Sequence, residues 1–237
     1  TAAITSANAA PGADVVSFQS SVTGTITLTT GQLTISESLA INGPGAGKLT
    51  IANGSGSSRV FAFMAGTSTL QGLTITGGVL PSGAQSGAGL LNSGTLAMDG
   101  VAVTSNTAGS NGGGVYNNGD LTINRSTFFG NSGGLGGGIH NAATMTVTNS
   151  TFSGNQAIGG GGIYSNGTII VRNSTIAANA GGRGIAISGG TGQLVSTIIA
   201  GNTGGDVQGT FAAGSINNLI KDSLNSGGLT NGVSGNL

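Results

Sequence analysis

The sequence predicts an all-β chain, a right-handed parallel β-helix (solenoid) of about ten coils with a short amino-terminal capping helix. Three observations predict it. Two landmarks repeat at one step: the aliphatic residue behind each glycine cluster (Leu90, Val115, Ile139, Ile163, Ile185) and an asparagine (Asn106, Asn131, Asn155, Asn179, Asn202), at intervals of 22 to 25 residues. Between them apolar and polar residues alternate, as where Leu121 and Ile123 flank Thr122 or Met145 and Val147 flank Thr146, the period of a strand with one buried face. Glycine, 49 of 237 residues, falls between these runs and not in a collagen-like triplet, so it punctuates very short strands.

One β-helix domain is expected over residues 1–237. Residues 1–12 begin "TAAITSANAA", Ala-rich with little β-branching, which suits a helix laid across the open end of the solenoid. Residues 13–86 read as irregular first coils, with strand-like runs such as "TITLTT" and "LQGLTITGG". Residues 87–205 form the regular coils, where Val103, Phe128, Phe152, Ile176 and Ile199 stack inward, as do Met98, Ile123, Val147 and Val171. The five repeating asparagines read as a structural ladder at a corner, amide upon amide. Residues 206–237 are carboxy-terminal coils. The stretch "SINNLIKDSLNSGGLTNGVSGNL" has no polar capping helix, so a coil edge is expected to stay available there for head-to-tail docking into a filament or sheath.

Composition narrows the chemistry. Six basic and six acidic residues leave no basic patch for a phosphate backbone, and 4% aromatics without Trp leave little to stack on bases, so nucleic acid is not an expected partner. Without cysteine there is neither disulfide nor thiolate chemistry. No apolar run is long enough for a membrane span. No motif calls for a cofactor or a metal.

Glycoside hydrolysis needs two carboxylates roughly 5 to 9.5 Å apart. Of the six acids, Asp14, Glu37, Asp99, Asp120, Asp206 and Asp222, only Asp99 and Asp120 fall on adjacent coils. The repeat sets Asp120 level with Thr95 and Asp99 level with Asn124, four residues along a strand, or about 13 Å. No catalytic residue is therefore assigned.

The lone His140 makes neither a triad nor a metal pair. It belongs to a column, Leu91, Tyr116, His140 and Tyr164, expected to point outward as a stacked strip. Such a strip is either a self-supporting ladder or a contact surface for a glycan or a neighbouring subunit. Ranks of outward threonine would suggest ice binding, but on the middle strand only Thr144, Thr146 and Thr148 fill a coil, so no regular array is expected there.

The tetrapeptides "FFGN" and "FSGN", with "GGGV" and "GGGI" at the glycine corners, resemble the repeats of polymorphic outer-membrane proteins. The longer frame of "ANAAPGADVVSF", "LAINGPGAGKLTI", "SSRVFAF", "IIAGNTGGDVQGTF" and "NNLI" resembles CSLREA-type bacterial surface proteins along nearly the whole chain. The motif that names that family would lie ahead of residue 1 and its anchoring region beyond Leu237, so the expected chain is a processed form or the ordered part of something longer. The resemblance implies a bacterial β-helix, extracellular or on the cell surface, exported by a segment outside this sequence. The expected function is a non-enzymatic structural or adhesive module, with itself, an extracellular glycan or a host surface as candidate partner. The alternative is a β-helix that binds or cleaves a polysaccharide.

Overall fold

The computed structural model describes residues 1–81, 83, 85–222, 228–229 and 232–237. Parts of the expected carboxy-terminal coils, residues 223–227, 230 and 231, lie outside the described residues. Three parallel sheets run the length of a solenoid. Face one has eight strands, from Asp14–Ser17 to Gly192–Val195; face two has nine, from Gly24–Leu28 to Leu219–Ile220; face three has eight, from Leu33–Ile35 to Val207–Gln208. The chain visits the faces in that order in each coil, so every strand pairs with the strand one coil away.

The solenoid therefore has about nine turns and not ten. Dividing the chain length by the repeat step overcounts, because the helix Ala2–Ala9 takes up the first residues. The step from Thr74 to its partner Ala102 also spans 28 residues, and the intervening connection carries an extra strand, Val79–Leu80, which pairs with Thr107–Ala108 of the next coil.

The alternating pattern puts the expected columns inside. Val103, Phe128, Phe152, Ile176 and Ile199 are fully buried, as are Ile123, Val147 and Val171, with Met98 nearly so. Phe128 and Phe152 stack with ring centroids 4.6 Å apart and planes 4° apart. Each such side chain contributes about 1.5–3 kcal/mol of apolar burial. Coils this short turn sharply, so a left-handed backbone residue recurs between faces one and two: Gly72, Gly100, Arg125, Asn149, Asn173 and Ser196, with φ between 48° and 59°.

The two ends are dressed differently. At the amino end the helix Ala2–Ala9 buries Ile4 and Ala7 against the core. Asn8 Nδ2 donates to Thr34 O (2.7 Å) and Asn8 Oδ1 accepts from Ser36 N (3.1 Å), so one amide serves the first edge of face three. At the carboxy end, residues 234–237 lie on the last strand of face two: Asn217 N donates to Ser234 O and Leu237 N to Asn218 O, at 2.9 and 2.8 Å. Leu229 is buried in the core. The edge expected to stay available is thus occupied at this strand. Among the described residues no helix is long and apolar enough to cross a membrane.

Candidate functional site

The asparagine ladder forms where the spacing put it, at the corner between faces two and three. Asn106 Nδ2 donates to Asn131 Oδ1, and the same bond of 2.9 Å repeats from Asn131 to Asn155, Asn155 to Asn179 and Asn179 to Asn202. Each Oδ1 also accepts the backbone N–H of the asparagine that donates to it. All five residues are buried. Their amide dipoles point one way, which polarises the chain of bonds. The ladder ends on a carboxylate: Asp206 Oδ1 accepts from Asn202 Nδ2 (2.9 Å) and N (3.2 Å), and Oδ2 accepts Asp222 N (2.7 Å). Asp206 follows Asn202 by four residues and not by a coil, so the repeat did not mark it.

Sequence reasoning missed two further ladders. Between faces three and one, Asn92 donates to Asn117 (2.8 Å), Asn117 to Asn141 (2.7 Å) and Asn141 to Ser165 (3.0 Å). Between faces one and two, Ser126, Ser150 and Ser174 each accept a backbone N–H from the coil before. Both sets repeat at the same step as the first ladder, a signal present in the sequence. All three corners are thus closed by their own polar side chains, leaving those amides and hydroxyls committed to the fold.

The column Leu91, Tyr116, His140 and Tyr164 pairs in register on face three. Its rings meet edge to face: Tyr116 and His140 are 5.0 Å apart at 61°, His140 and Tyr164 5.1 Å at 68°. The expectation of an open strip is corrected at its centre, because His140 is only 5% exposed, held between the two tyrosines. Leu91, Tyr116 and Tyr164 are half-buried. The glycine turn crowds the strip: a Cβ on Gly159 would stand 2.8 Å from both Leu135 Cδ2 and Tyr164 Cδ2. His140 Nε2 lies 3.2 Å from Asn166 Oδ1, to which it donates in the Nε2–H tautomer. Its Nδ1 is buried with no partner among the described residues. Burial holds the imidazole pKa below its ordinary value, opposed by the bond to Asn166.

Asp99 and Asp120 sit as the repeat placed them, but the expectation that no other acids come together is corrected: Asp206 and Asp222 meet near the carboxy end, where Asp206 Oδ2 accepts Asp222 N. Asp120 pairs with Thr95 and Asp99 with Asn124, at opposite ends of adjacent strands. Asp99 is taken by Arg125 and by Asn124 Nδ2 (3.1 Å). A shallow groove of about 420 Å³ passes Met64, Ser93, Thr95 and Asp120 and holds that single carboxylate. A second, about 340 Å³, runs past Thr203, Asp206, Lys221 and Asp222 and holds two carboxylates, Asp206 engaged by Asn202 and by Asp222 N, and Asp222 with Arg183 Nη1 3.9 Å from its Oδ2.

Face two carries an array that the reading of the middle strand overlooked. Over the first seven of its nine strands one outward file runs Thr25, Thr50, Thr74, Ala102, Thr127, Thr151 and Thr175, each paired with the next in register. Two residues along each strand, a second file runs Thr27, Ala52, Thr76, Thr104, Phe129, Ser153 and Ala177. None of these fourteen positions is charged, whereas outward positions of face one include Asp99, Asp120 and Arg172. No protein-family model, curated protein or solved structure matches the chain.

Proposed function

We propose that this chain is a non-enzymatic, extracellular β-helix rod with a structural or adhesive role, working through its long faces. The observation that carries the reading is the closure of all three corners by side-chain ladders. A stack locked in register this way gives rigid long faces and commits the ladder side chains to the fold. The separation of Asp99 from Asp120, and the engagement of Asp99 by Arg125, support a non-catalytic reading. The resemblance to CSLREA-type and polymorphic outer-membrane repeats supports display at a bacterial surface. Incubation with a panel of acidic and neutral polysaccharides tests it: the chain is expected to leave every polymer uncut. New reducing or unsaturated ends, abolished by Asp120→Ala, would overturn it.

A second reading has its own observation, the Tyr116, His140 and Tyr164 strip, as a contact surface for a glycan. Each edge-to-face contact covers part of a ring face that stacking on a sugar would use, so the strip supports packing better than binding. Glycan binding lost on Tyr116→Ala and Tyr164→Ala, with unfolding temperature retained, would favour this second reading. Head-to-tail assembly has to displace the segment 234–237 from the last strand of face two.

A further inference from the structure

The geometry points to face two as an ice-binding surface, its ligand being the ordered water lattice at the face of an ice crystal. This rests on the reading of the chain as a rigid non-enzymatic rod and adds a ligand to it. Binding a crystal plane calls for four properties together: flatness, a two-dimensional repeat, hydroxyls free to anchor water, and no charge to draw water into a competing shell.

Over its first seven strands face two has the repeat, the free hydroxyls and the lack of charge, and ladders at both edges act against twist. Open sheets normally twist, and flat ones are held by stacking and side-chain ladders. Here ladders run at both edges of the face, through Ser126, Ser150 and Ser174 on one side and Asn131, Asn155 and Asn179 on the other. The outward residues then form a grid with a spacing of about 4.8 Å from coil to coil and about 6.6 Å along each strand. The shorter spacing approximates the in-plane repeat of oxygen atoms in hexagonal ice.

The chemistry of the grid fits as well. Threonine is stiff at χ1, so neighbours repeat one rotamer and present methyl and hydroxyl at fixed intervals. The hydroxyls of Thr50, Thr127, Thr151 and Thr175 make no hydrogen bond among the described residues, which leaves them for water. Over the first seven strands, where threonine is replaced the substitute is mostly Ala or Ser, which does not rise above the plane. Phe129 is the large exception there, and its ring leans over the next coil, since a Cβ on Gly154 would lie 3.0 Å from Phe129 Cε2. Beyond them the first file ends on exposed Ile198 and Leu219, so the grid is bounded at the carboxy end. A crystalline polysaccharide would also meet a flat face, but aromatic platforms suit sugar rings better, and Phe129 is the lone aromatic among the fourteen positions.

The test is partition of the fluorescently labelled chain into slowly growing ice, with inhibition of ice recrystallisation read alongside. The wild type is expected to enter the ice and to keep crystals small. Thr127→Lys and Thr151→Lys, outward and exposed, should lose both effects while keeping the wild-type unfolding temperature. Thr122→Lys and Thr146→Lys on face one should retain them. Exclusion of the wild type from ice would overturn the proposal, as would equal losses from the two faces or binding to crystalline cellulose or chitin in place of ice. The first or last of these results would leave the non-enzymatic rod standing, whereas cleavage of a polysaccharide would remove the rod reading itself.

Discussion

At the scale of single residues the ladders carry the largest penalties. Asn155 accepts from Asn131 through N and Nδ2 and donates to Asn179 Oδ1 and Phe128 O, with no exposed surface. Asn155→Ala strands those groups in a dry interior, where each unsatisfied one costs about 1–3 kcal/mol. Urea unfolding should show a loss of about 3 kcal/mol or more, and a change below about 1 kcal/mol would mean that water replaces the amide. His140 makes stability depend on pH. Its folded pKa lies below the unfolded value of 6.5, so the unfolded chain binds the proton more readily. Stability is then full above about pH 6.5 and falls as the pH drops through that value toward the folded pKa. Melting temperatures between pH 8 and pH 5 should decline in the wild type, and less so in His140→Gln. The ladder at Asn106 was legible because one residue type recurs at one step. The burial of His140 was not, since strand alternation marks a side chain as outward without saying that Tyr116, Tyr164 and a glycine turn will close around it.

At the scale of elements, the glycine clusters explain why the repeat tolerates so little change. Gly137 lies where a Cβ would meet Gln156 O at 2.5 Å and Gly161 O at 2.6 Å, both backbone of the next coil. Gly137→Ala must push coils apart and is expected to cost about 2 kcal/mol or more. Gly47, with nothing within 4 Å of an added Cβ, should accept alanine with little change. Differential scanning calorimetry of the two variants makes the comparison; equal melting temperatures would count against close packing of the coils. Phe152→Ala opens a hole under the stacked ring of Phe128 and should cost about 3–5 kcal/mol. Strands and inward columns were legible because alternation and period agree over residues 87–205. The threonine files of face two were not legible in the sequence, because the strands are short and only Gly24–Leu28 and Thr74–Thr76 carry a Thr-x-Thr fragment, the rest showing one threonine or none. Those fragments become a surface only after coils are stacked in register.

At the scale of the molecule, the proposed role lies on the long faces and not on the ends. Asn8 serves the first edge of face three and residues 234–237 lie along the last strand of face two, so lateral surfaces are the freest part of the rod. The parallel stacking followed from periodicity, but the exact number of turns and the treatment of the ends did not, because end residues sit outside the repeat and have no column to be compared with. Light scattering over a concentration series, with electron microscopy of the same samples, tests this most directly. A constant mass near 22.5 kDa and dispersed particles are the predicted result. A mass that grows with concentration, with filaments whose axial repeat is about nine coils at about 4.8 Å each, would place the function at the ends and contradict the account.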